Sequence, residues 1–555
     1  MNHPASNNSI FNTINLKHWK GDIFGGITAA VVSLPMALAF GVASGAGPAA
    51  GLYGAVLVGL FAALFGGTST LISEPTGPMT VVMTAVLTTM MAANPEQGLA
   101  MAFTVVMIAG VFQISLGLLK LGKYITLMPY SVISGFMSGI GIILILLQIA
   151  PMLGQATPPG GVTGTLGELP RLWQNIVWQE TLLGLFTLCI LFFLPKKLGR
   201  IVPPQLVALI LGTFAAILFF SDDGIRKIGE IPLGLPSINL PVFSSEQITR
   251  MIIDGMVLGT LGCIDALLTA MIADSLTRQE HKSDRELVGQ GIGNVVSGLF
   301  GGLPGAGATM GTVVNIQAGA RTALSGITRA IILLIIVLGA ARLTAHIPLA
   351  VLAGIALTVG LNILDWSFVK RAHTVSRSAT FIMYSVMLLT VFVDLIVAVG
   401  LGVFIANIIT IEKLSSLQKN NIKAISDADD DVPLSPEEKQ LLDRANDRVL
   451  LIYLSGPMVF GVSKAIAREH STIAGFDCVV LDLSDVPLID TTVSLAIENT
   501  IKDAVESGRQ VIVVKPRKQA IKTLERLGVF ELIPDTQLCE KRIEALRKAV
   551  AFTEQ

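Results

Sequence analysis

The feature that most constrains this chain is a series of long apolar stretches, poor in charge, that extends from Phe24 to about Ile411. A helix needs about 20 apolar residues to cross the roughly 30 Å hydrocarbon core of a bilayer. Only 14% of all residues are charged, against about 25% in ordinary globular chains, and charges become frequent only from Glu412 onward. We therefore predict an integral membrane region followed by a soluble C-terminal region.

The apolar stretches predict a polytopic α-helical protein with about 14 transmembrane spans. Their approximate ranges are 22–42, 50–66, 77–92, 99–119, 128–150, 181–195, 204–221, 251–277, 287–300, 309–319, 325–341, 347–364, 378–394 and 396–412. The whole chain then divides into an N-terminal segment (1–20), a transmembrane domain (21–412), an acidic linker (413–447) and an α/β domain (448–555). In the last of these, strand-like and helix-like segments alternate, which is typical of a mostly parallel sheet with helices packed on it.

Basic residues in the connections indicate the orientation, because cytoplasmic loops collect Lys and Arg. With the N-terminus inside, connections predicted to be cytoplasmic carry most of these residues, such as Lys120 and Lys123, whereas the long loop 153–180 has only Arg171. We therefore expect both termini and the C-terminal domain to be cytoplasmic, in a bacterial-type inner (plasma) membrane.

Two of the predicted spans are interrupted at matching positions. Gly/Pro-rich segments at 66–78 and 301–308 each lead into a short helix, and both helices contain Thr-Val-Val, at 80–82 and 312–314. These are the third and tenth spans, equivalent positions in two halves of seven, and an odd number of spans per half requires the second half to be inverted. Inverted repeats with broken helices are typical of secondary transporters.

The interruptions predict a binding site for an anion near the bilayer midplane. Irregular backbone at that depth occurs where it lines a cavity or is buried in protein, and helix N-termini carry unpaired N–H groups that attract negative charge. Thr76 and Gly77 would line one side of the site, and Gly307, Ala308 and Thr309 the other. The alternative is that these small residues only allow close helix packing.

A carboxylate lies deep in the eighth predicted span. Asp265 is surrounded by apolar residues, and Thr269 follows one helical turn later on the same face. A carboxylate, a hydroxyl and the carbonyls of 305–309 would offer oxygen ligands to an alkali cation, or Asp265 could carry a proton. The alternative is a structural carboxylate that is hydrogen-bonded to a neighbouring helix.

Other classes of function find little support in the sequence. A net charge of -1 gives no basic field for nucleic acid. The four cysteines and six histidines are dispersed, which argues against a disulfide framework or a zinc site. Because no nucleophile–base constellation or P-loop occurs, we do not expect an enzyme or a tightly bound cofactor.

The chain resembles the SulP (sulfate permease) family of anion transporters over about 19–546. The segments that carry the resemblance include Ala50-Gly51-Leu52-Tyr53, Asn315–Thr322 and Leu488-Ile489-Asp490-Thr491-Thr492. The resemblance implies seven plus seven inverted spans and a cytoplasmic STAS domain. It also implies a core module (spans 1–4 and 8–11) that moves against a gate module (spans 5–7 and 12–14), and a homodimer that involves the STAS domain.

Within the family, the segments Leu34–Phe40, Leu71–Thr80 and Gly262–Thr269 resemble sodium-dependent bicarbonate transporters. That resemblance implies that sodium is held by Asp265, Thr269, Gly307, Ala308 and Thr309. It also implies that Thr76 and the Ala308–Thr309 backbone face bicarbonate. Many relatives have Glu in place of Asp265, and an ionised aspartate among oxygen donors suits sodium better than proton carriage.

The STAS resemblance adds one possible regulatory residue. In anti-sigma-factor antagonists the hydroxyl residue after the matching aspartate is phosphorylated, and here that residue is Thr491, with Val493 in place of the usual glycine. For the whole chain we expect a secondary transporter for a small inorganic anion, with sodium-dependent bicarbonate uptake as the leading hypothesis. Proton-coupled uptake of sulfate, nitrate or a dicarboxylate and an uncoupled anion channel stay open. No buried Lys or Arg is evident near Thr76 or Thr309, which favours a monovalent anion.

Overall fold

The structure is a computed structural model that describes residues 11–12, 14–125, 129–195, 203–220, 224–229, 236–339, 345–393, 395–419, 422–426, 434–459, 466, 475–516 and 518–554. Parts of the predicted N-terminal segment (1–10 and 13) and of the predicted linker (420–421 and 427–433) lie outside these residues. The chain forms two compact units, Met1–Val403 and Phe404–Gln555.

Each of the predicted spans corresponds to a helix. These helices are α1 (Trp19–Ser44), α2 (Pro48–Phe65), α3 (Gly77–Ala93), α4 (Gly98–Leu118), α5 (Tyr130–Leu147), α6 (Trp178–Phe193), α7 (Pro204–Phe219), α8 (Ile248–Thr277), α9 (Ser283–Leu299), α10 (Thr309–Gln317), α11 (Leu324–Gly339), α12 (Leu349–Ile363), α13 (Arg377–Phe392) and α14 (Leu395–Lys419). Short helices at Gly122–Ile125, Ile149–Met152, Gly161–Gly167, Leu169–Gln174 and Trp366–Val375 connect some of them.

Helix length and composition agree with a membrane environment. Within the described ranges, five helical stretches are long and apolar enough to cross a membrane: Leu16–Ala43, Pro48–Phe65, Gly98–Leu118, Tyr130–Met152 and Ile248–Thr277. Six shorter apolar helices accompany them, among them α6 and α7. These two helices expose large side chains such as Phe193 and Phe219, which is the surface that lipid would cover.

Local sequence explains how α1 gives way to α2. α1 ends at Gly45, whose positive φ of 80° is the left-handed conformation that glycine adopts without strain, and its N–H donates to the Val42 carbonyl. α2 then starts with Pro48, which fits the first turn because that position has no intrahelical acceptor for an N–H. The reversal therefore needs only a few residues.

The helices pack in two groups. α9 packs on α2 and α4, α8 packs on α4, and α1 packs on α2 and α11. In the other group, α5 packs on α12 and α13, and α6 packs on α7 and α12. The approach of α4 to α9 depends on glycine, because a Cβ on Gly110 would lie 2.5 Å from the Gly291 carbonyl oxygen and a Cβ on Gly291 2.5 Å from that of Gly110.

Two short strands lie where the sequence is interrupted. β1 (Ser73–Glu74) precedes α3, and β2 (Ala306–Gly307) precedes α10. α3 has 17 residues and α10 has nine, which correspond to about 25 Å and about 14 Å of helix. Both are shorter than the roughly 30 Å hydrocarbon core.

The second unit contains a five-stranded sheet in the order β3-β4-β5-β6-β7. Its elements are β3 (Ile422–Ile425), α15 (Pro436–Arg444), β4 (Val449–Ser455), β5 (Cys478–Asp485), α16 (Thr491–Glu506), β6 (Gln510–Val514), α17 (Lys518–Arg526), β7 (Leu538–Cys539) and α18 (Arg542–Thr553). β4 to β7 are parallel and β3 is antiparallel to β4, which confirms the predicted mostly parallel sheet.

The segment predicted as a linker contributes to this unit. β3 and α15 both lie within 413–447, and α14 continues to Lys419 rather than ending at 412. Ile425 and Leu442 are buried in the same apolar cluster as the sheet residue Leu451. The acidic composition of this segment predicted a linker although some of its apolar residues are buried. The C-terminal α/β unit therefore begins earlier than composition indicated.

Candidate functional site

The two interruptions meet and pair with each other. β1 and β2 are antiparallel, with Ser73 opposite Gly307 and Glu74 opposite Ala306, and the N–H of Ala308 donates to the Ile72 carbonyl at 2.8 Å. This ladder satisfies backbone groups that could not be left unpaired at membrane depth. It also fixes the start of α3 beside the start of α10.

Both helices present uncapped N-termini. Thr76 and Ala308 are the N-cap residues of α3 and α10, both have extended backbone, and neither helix receives a side-chain cap from the described residues. The first N–H groups of a helix have no partner within the helix, and the dipole adds partial positive charge there. The two helix starts can therefore stabilise an anion without a formal positive charge.

Oxygen atoms gather between α8 and the start of α10. The Thr269 hydroxyl donates to the Gly307 carbonyl at 2.8 Å and lies 3.0 Å from the Thr309 hydroxyl. Asp265 lies one turn earlier on α8 and is buried. Carboxylate, hydroxyl and carbonyl oxygens are the ligands that hard cations prefer.

Two polar atoms at this place are buried and unsatisfied. Oδ2 of Asp265 and Oγ1 of Thr76 have no hydrogen-bond partner among the described residues. A buried polar group without a partner costs about 1–3 kcal/mol, and more when it is charged. The arrangement would therefore be stabilised by a ligand that satisfies both atoms, and a cation beside Asp265 fits this requirement.

A cavity of about 500 Å³ opens onto these residues. Its lining includes Pro75, Thr76, Gly77, Pro78, Asp265, Gly307, Ala308, Thr309, Met310, Val313 and Val314, together with Met36 and Phe40 of α1, Met137 of α5, and Val359, Asn362 and Ile363 of α12. It is mostly apolar with a few convergent polar groups, which is typical of sites for small ligands.

A buried arginine holds β1 in place. Arg329 on α11 is fully buried, and it donates to Glu74 Oε2 at 2.5 Å, to the Ser73 carbonyl at 3.0 Å, to the Ala55 carbonyl at 3.1 Å and to Ser33 Oγ at 2.8 Å. These bonds join β1 to α1, α2 and α11. The ion pair neutralises the Glu74 carboxylate at a depth where an unpaired charge would be costly.

The side-chain amide of Asn294 holds the backbone immediately before β2. Asn294 on α9 donates from Nδ2 to the Gly305 carbonyl at 2.9 Å and accepts from the Gly305 N–H at 2.8 Å. The same Nδ2 donates to Gln113 Oε1 at 2.8 Å. β1 and β2 are thus both fixed by side chains from surrounding helices, so the site is preorganised. We call the place where these two strands pair the crossing.

Comparison with known proteins agrees with this geometry. The profile of the sulfate permease family matches residues 19–386. The chain belongs to the sulfate permease family. A STAS domain matches residues 441–545, which corresponds to the second unit from α15 to α18.

Several sulfate permease relatives resemble the chain over nearly its full length. The bicarbonate transporter BicA of Synechocystis sp. is 63% identical and that of Picosynechococcus sp. is 61% identical, each over 98% of this chain and 96% of the relative. The solved transmembrane domain of a cyanobacterial BicA is 66% identical with a TM-score of 0.67, and covers 71% of this chain and 100% of that one. The structure of SLC26A9 shares the fold at 17% identity, with a TM-score of 0.84 over 98% of this chain and 92% of that one.

The structure brings together the site residues that the sequence analysis named in the membrane unit. Six of them line one cavity, namely Thr76, Gly77, Asp265, Gly307, Ala308 and Thr309. Thr269 is buried and is not itself part of the lining. Its hydroxyl is hydrogen-bonded to the lining residues Gly307 and Thr309. Their roles in a sulfate permease site stay predictions.

Thr491 lies in the other unit. It is the exposed first residue of α16, and the preceding Asp490 is the N-cap, whose carboxylate accepts from the Val493 N–H at 2.8 Å. The hydroxyl is thus accessible, and its phosphorylation stays a prediction.

Sequence reasoning missed several residues of the candidate site. The expectation of no buried Lys or Arg near Thr76 needs correction, since the buried Arg329 contacts Ser73 and Glu74, three and two residues before Thr76. The signal was present, because Arg329 is the single charge in the apolar stretch 322–341, and an arginine inside a membrane span needs a partner. Met36 and Asn362 gave no signal, because nothing in their local sequence places them beside the crossing.

Proposed function

We propose that this chain is a secondary active transporter that couples the sodium gradient to the uptake of bicarbonate by alternating access. The observation that supports this proposal most directly is the meeting of two uncapped helix N-termini beside Asp265 and Thr269. An anion position and a cation position then share Ala308 and Thr309.

The anion would bind at the starts of α3 and α10. Thr76, Gly77, Ala308 and Thr309 line that part of the cavity, and a small oxyanion could accept hydrogen bonds from the exposed backbone N–H groups. Arg329 is taken up by four hydrogen bonds and does not line the cavity. Among the described residues that line the cavity, none carries a formal positive charge, which favours a monovalent cargo. The names of the two BicA relatives support bicarbonate.

Sodium would bind between α8 and α10. Asp265, Thr269, Gly307, Ala308 and Thr309 would supply the oxygen ligands, and the unsatisfied Asp265 Oδ2 would bind the ion directly. A bound cation would offset the charge of the anion and order the start of α10. Each ligand would then raise the affinity for the other by the same factor, as linkage requires.

Transport would occur by movement of one helix group against the other. α1–α4 and α8–α11 would form the core that carries the site, and α5–α7 and α12–α14 would form the gate. The packing of α9 with α2 and α4, and of α5 with α12 and α13, supports this division. We place the protein in the inner membrane with both termini and the STAS domain in the cytoplasm, and we expect a homodimer that involves that domain.

Uptake of radiolabelled bicarbonate and sulfate into proteoliposomes, with and without a sodium gradient, tests the proposal. We expect saturable bicarbonate uptake that requires sodium and disappears in Asp265→Asn. Sulfate uptake driven by a proton gradient would instead support the second hypothesis, and sodium-independent flux without saturation would support a channel.

A matched pair of isosteric variants tests the sodium position. Thr269→Val removes a hydroxyl that bonds Gly307 and Thr309, so we expect the sodium concentration for half-maximal uptake to rise about tenfold. Thr260→Val changes the same residue type on the same helix, where the hydroxyl only bonds the Met256 carbonyl, and it should leave this concentration unchanged. Equal behaviour of the two variants would remove α8 from the sodium site.

A further inference from the structure

A second cavity lies along the same helices as the candidate site but further from the crossing. It has a volume of about 320 Å³. It is lined by residues of α3 between Val81 and Thr89, by α5, by Arg250, Asp254 and Val257 near the start of α8, by the end of α13 and by residues 160–162. Since α3 leaves the crossing at Gly77 and ends at Ala93, this cavity lies towards the far end of α3.

The two cavities succeed each other along α3, α5 and α8, each of which lines both of them. On α8, Val257 is eight residues and Arg250 fifteen residues before Asp265, which corresponds to about 12 Å and about 22 Å along the helix. The second cavity is therefore about two to four helical turns from Asp265 along α8.

Within the lining of the second cavity, Arg250 and Asp254 carry the charges. Arg250 Nε donates to Asp254 Oδ2 at 3.2 Å. The Arg250 side chain is 55% exposed, whereas that of Asp254 is 11% exposed. In the described part of the chain, the terminal guanidinium nitrogens of Arg250 have no hydrogen-bond partner. Asp254 therefore positions the guanidinium through Nε and leaves its two terminal nitrogens available.

The free end of Arg250 suits a small oxyanion. A guanidinium presents parallel N–H groups in a geometry that matches two oxygens of one anion. The threonine hydroxyls of the cavity cannot serve as well, because Thr84 and Thr88 donate to the carbonyls of Thr80 and Thr84, each at 2.8 Å. Among the described residues that line this cavity, Arg250 is therefore the charged donor for an anion.

We propose that this second cavity is a recruitment site, in which Arg250 binds a small oxyanion before the anion passes along α3 to the crossing. The inference rests on the proposed function and extends it to a residue that the transport site itself does not contain. Asp254 acts as a positioning residue: it orients the guanidinium, and its negative charge keeps the affinity low enough for the anion to leave. A weak first site raises the local concentration of substrate without trapping it.

Uptake from the external medium by intact cells that express the full chain tests this inference. We compare the initial rate against bicarbonate concentration, at constant ionic strength and saturating sodium, for the original chain and for Arg250→Gln, Arg250→Lys and Asp254→Asn. Arg250→Gln should raise KM roughly fivefold with kcat within about twofold, since an exposed charge contact contributes about this much. Arg250→Lys should restore only part of the affinity, because lysine keeps the positive charge but lacks the parallel N–H groups of the guanidinium.

Asp254→Asn separates recruitment from a merely structural ion pair. Removal of a negative charge beside the bound anion should lower KM, opposite to the effect of Arg250→Gln, whereas loss of a structural pair would impair uptake in both variants. The rise in KM in Arg250→Gln should also shrink at high salt, because exposed charges are screened. The matched control is Arg171→Gln, which removes an exposed arginine paired with Glu168 at 2.9 Å outside this cavity, and its KM should not change.

Each other outcome overturns a defined part of the proposal. An unchanged KM in Arg250→Gln, or a raised KM in both Arg250→Gln and Asp254→Asn, refutes recruitment while leaving bicarbonate transport intact. A higher sodium requirement in Asp254→Asn, with bicarbonate KM unchanged, would assign the cavity to the cation instead. Absence of saturable uptake in the original chain would refute the proposed function, and the recruitment site with it.

Discussion

Replacement of Arg329 with methionine should strongly destabilise the membrane unit. The variant removes four hydrogen bonds, those to Glu74, Ser73, Ala55 and Ser33, and leaves the Glu74 carboxylate buried without its counter-ion. Loss of one partner of a buried ion pair costs about 3–5 kcal/mol. A value near 4 kcal/mol would lower the ratio of folded to unfolded protein by about a thousandfold.

The double variant Glu74→Leu/Arg329→Met distinguishes the ion pair from simple packing. Because two apolar residues leave no buried charge, we expect the double variant to lose less free energy of unfolding than the two single variants lose together, by at least about 2 kcal/mol. Reversible unfolding in mixed micelles of lipid and denaturing detergent measures the four free energies of the cycle. Arg171→Met, which breaks an exposed pair, should change the free energy of unfolding by less than about 1 kcal/mol.

Two results would refute this reasoning. A cost below about 1 kcal/mol for Arg329→Met would mean that Glu74 is not held as a buried charge. Additive free energies in the cycle would mean that Arg329 and Glu74 contribute independently, so that β1 is held by the ladder with β2 alone.

Two further predictions concern the sodium position and the C-terminal domain. Gly307→Ala should raise the sodium concentration for half-maximal uptake about tenfold, because its Cβ would lie 3.1 Å from Ala266 Cα and Thr269 Cβ and would push β2 away from α8. The control is Gly167→Ala, where a Cβ meets nothing within 4 Å. An unchanged sodium dependence in Gly307→Ala would contradict the proposed sodium site. Burial, together with the neighbouring Asp477, raises the pKa of the Cys478 thiol to about 12, so almost no reactive thiolate forms between pH 7 and pH 10 in the folded domain. Alkylation at Cys478, followed by peptide mass spectrometry, should therefore stay slow across this pH range and become fast in urea, and equal rates in the folded and unfolded chain would show that the thiol is accessible.

The sequence alone determined the arrangement of elements, because each was encoded locally. Apolar stretches located the helices from α1 to α14, since a segment within the hydrocarbon core must be apolar whatever its neighbours are. The Gly/Pro-rich segments before Thr80 and Thr312 located the interruptions, because such backbone cannot continue a helix. Asp265 was noticeable for the same reason, as a lone carboxylate in an apolar helix is costly unless it has a role.

Tertiary structure decided which of these features meet. The pairing of Ser73 with Gly307 and of Glu74 with Arg329 joins positions more than 200 residues apart, and no local pattern specifies such a contact. The second cavity likewise exists only because α3, α5, α8 and α13 enclose it, so Arg250 reads in the sequence as an ordinary basic residue at a helix start. Local propensity and burial fix what each segment becomes, whereas the geometry of a binding site depends on contacts that form only when distant segments pack together.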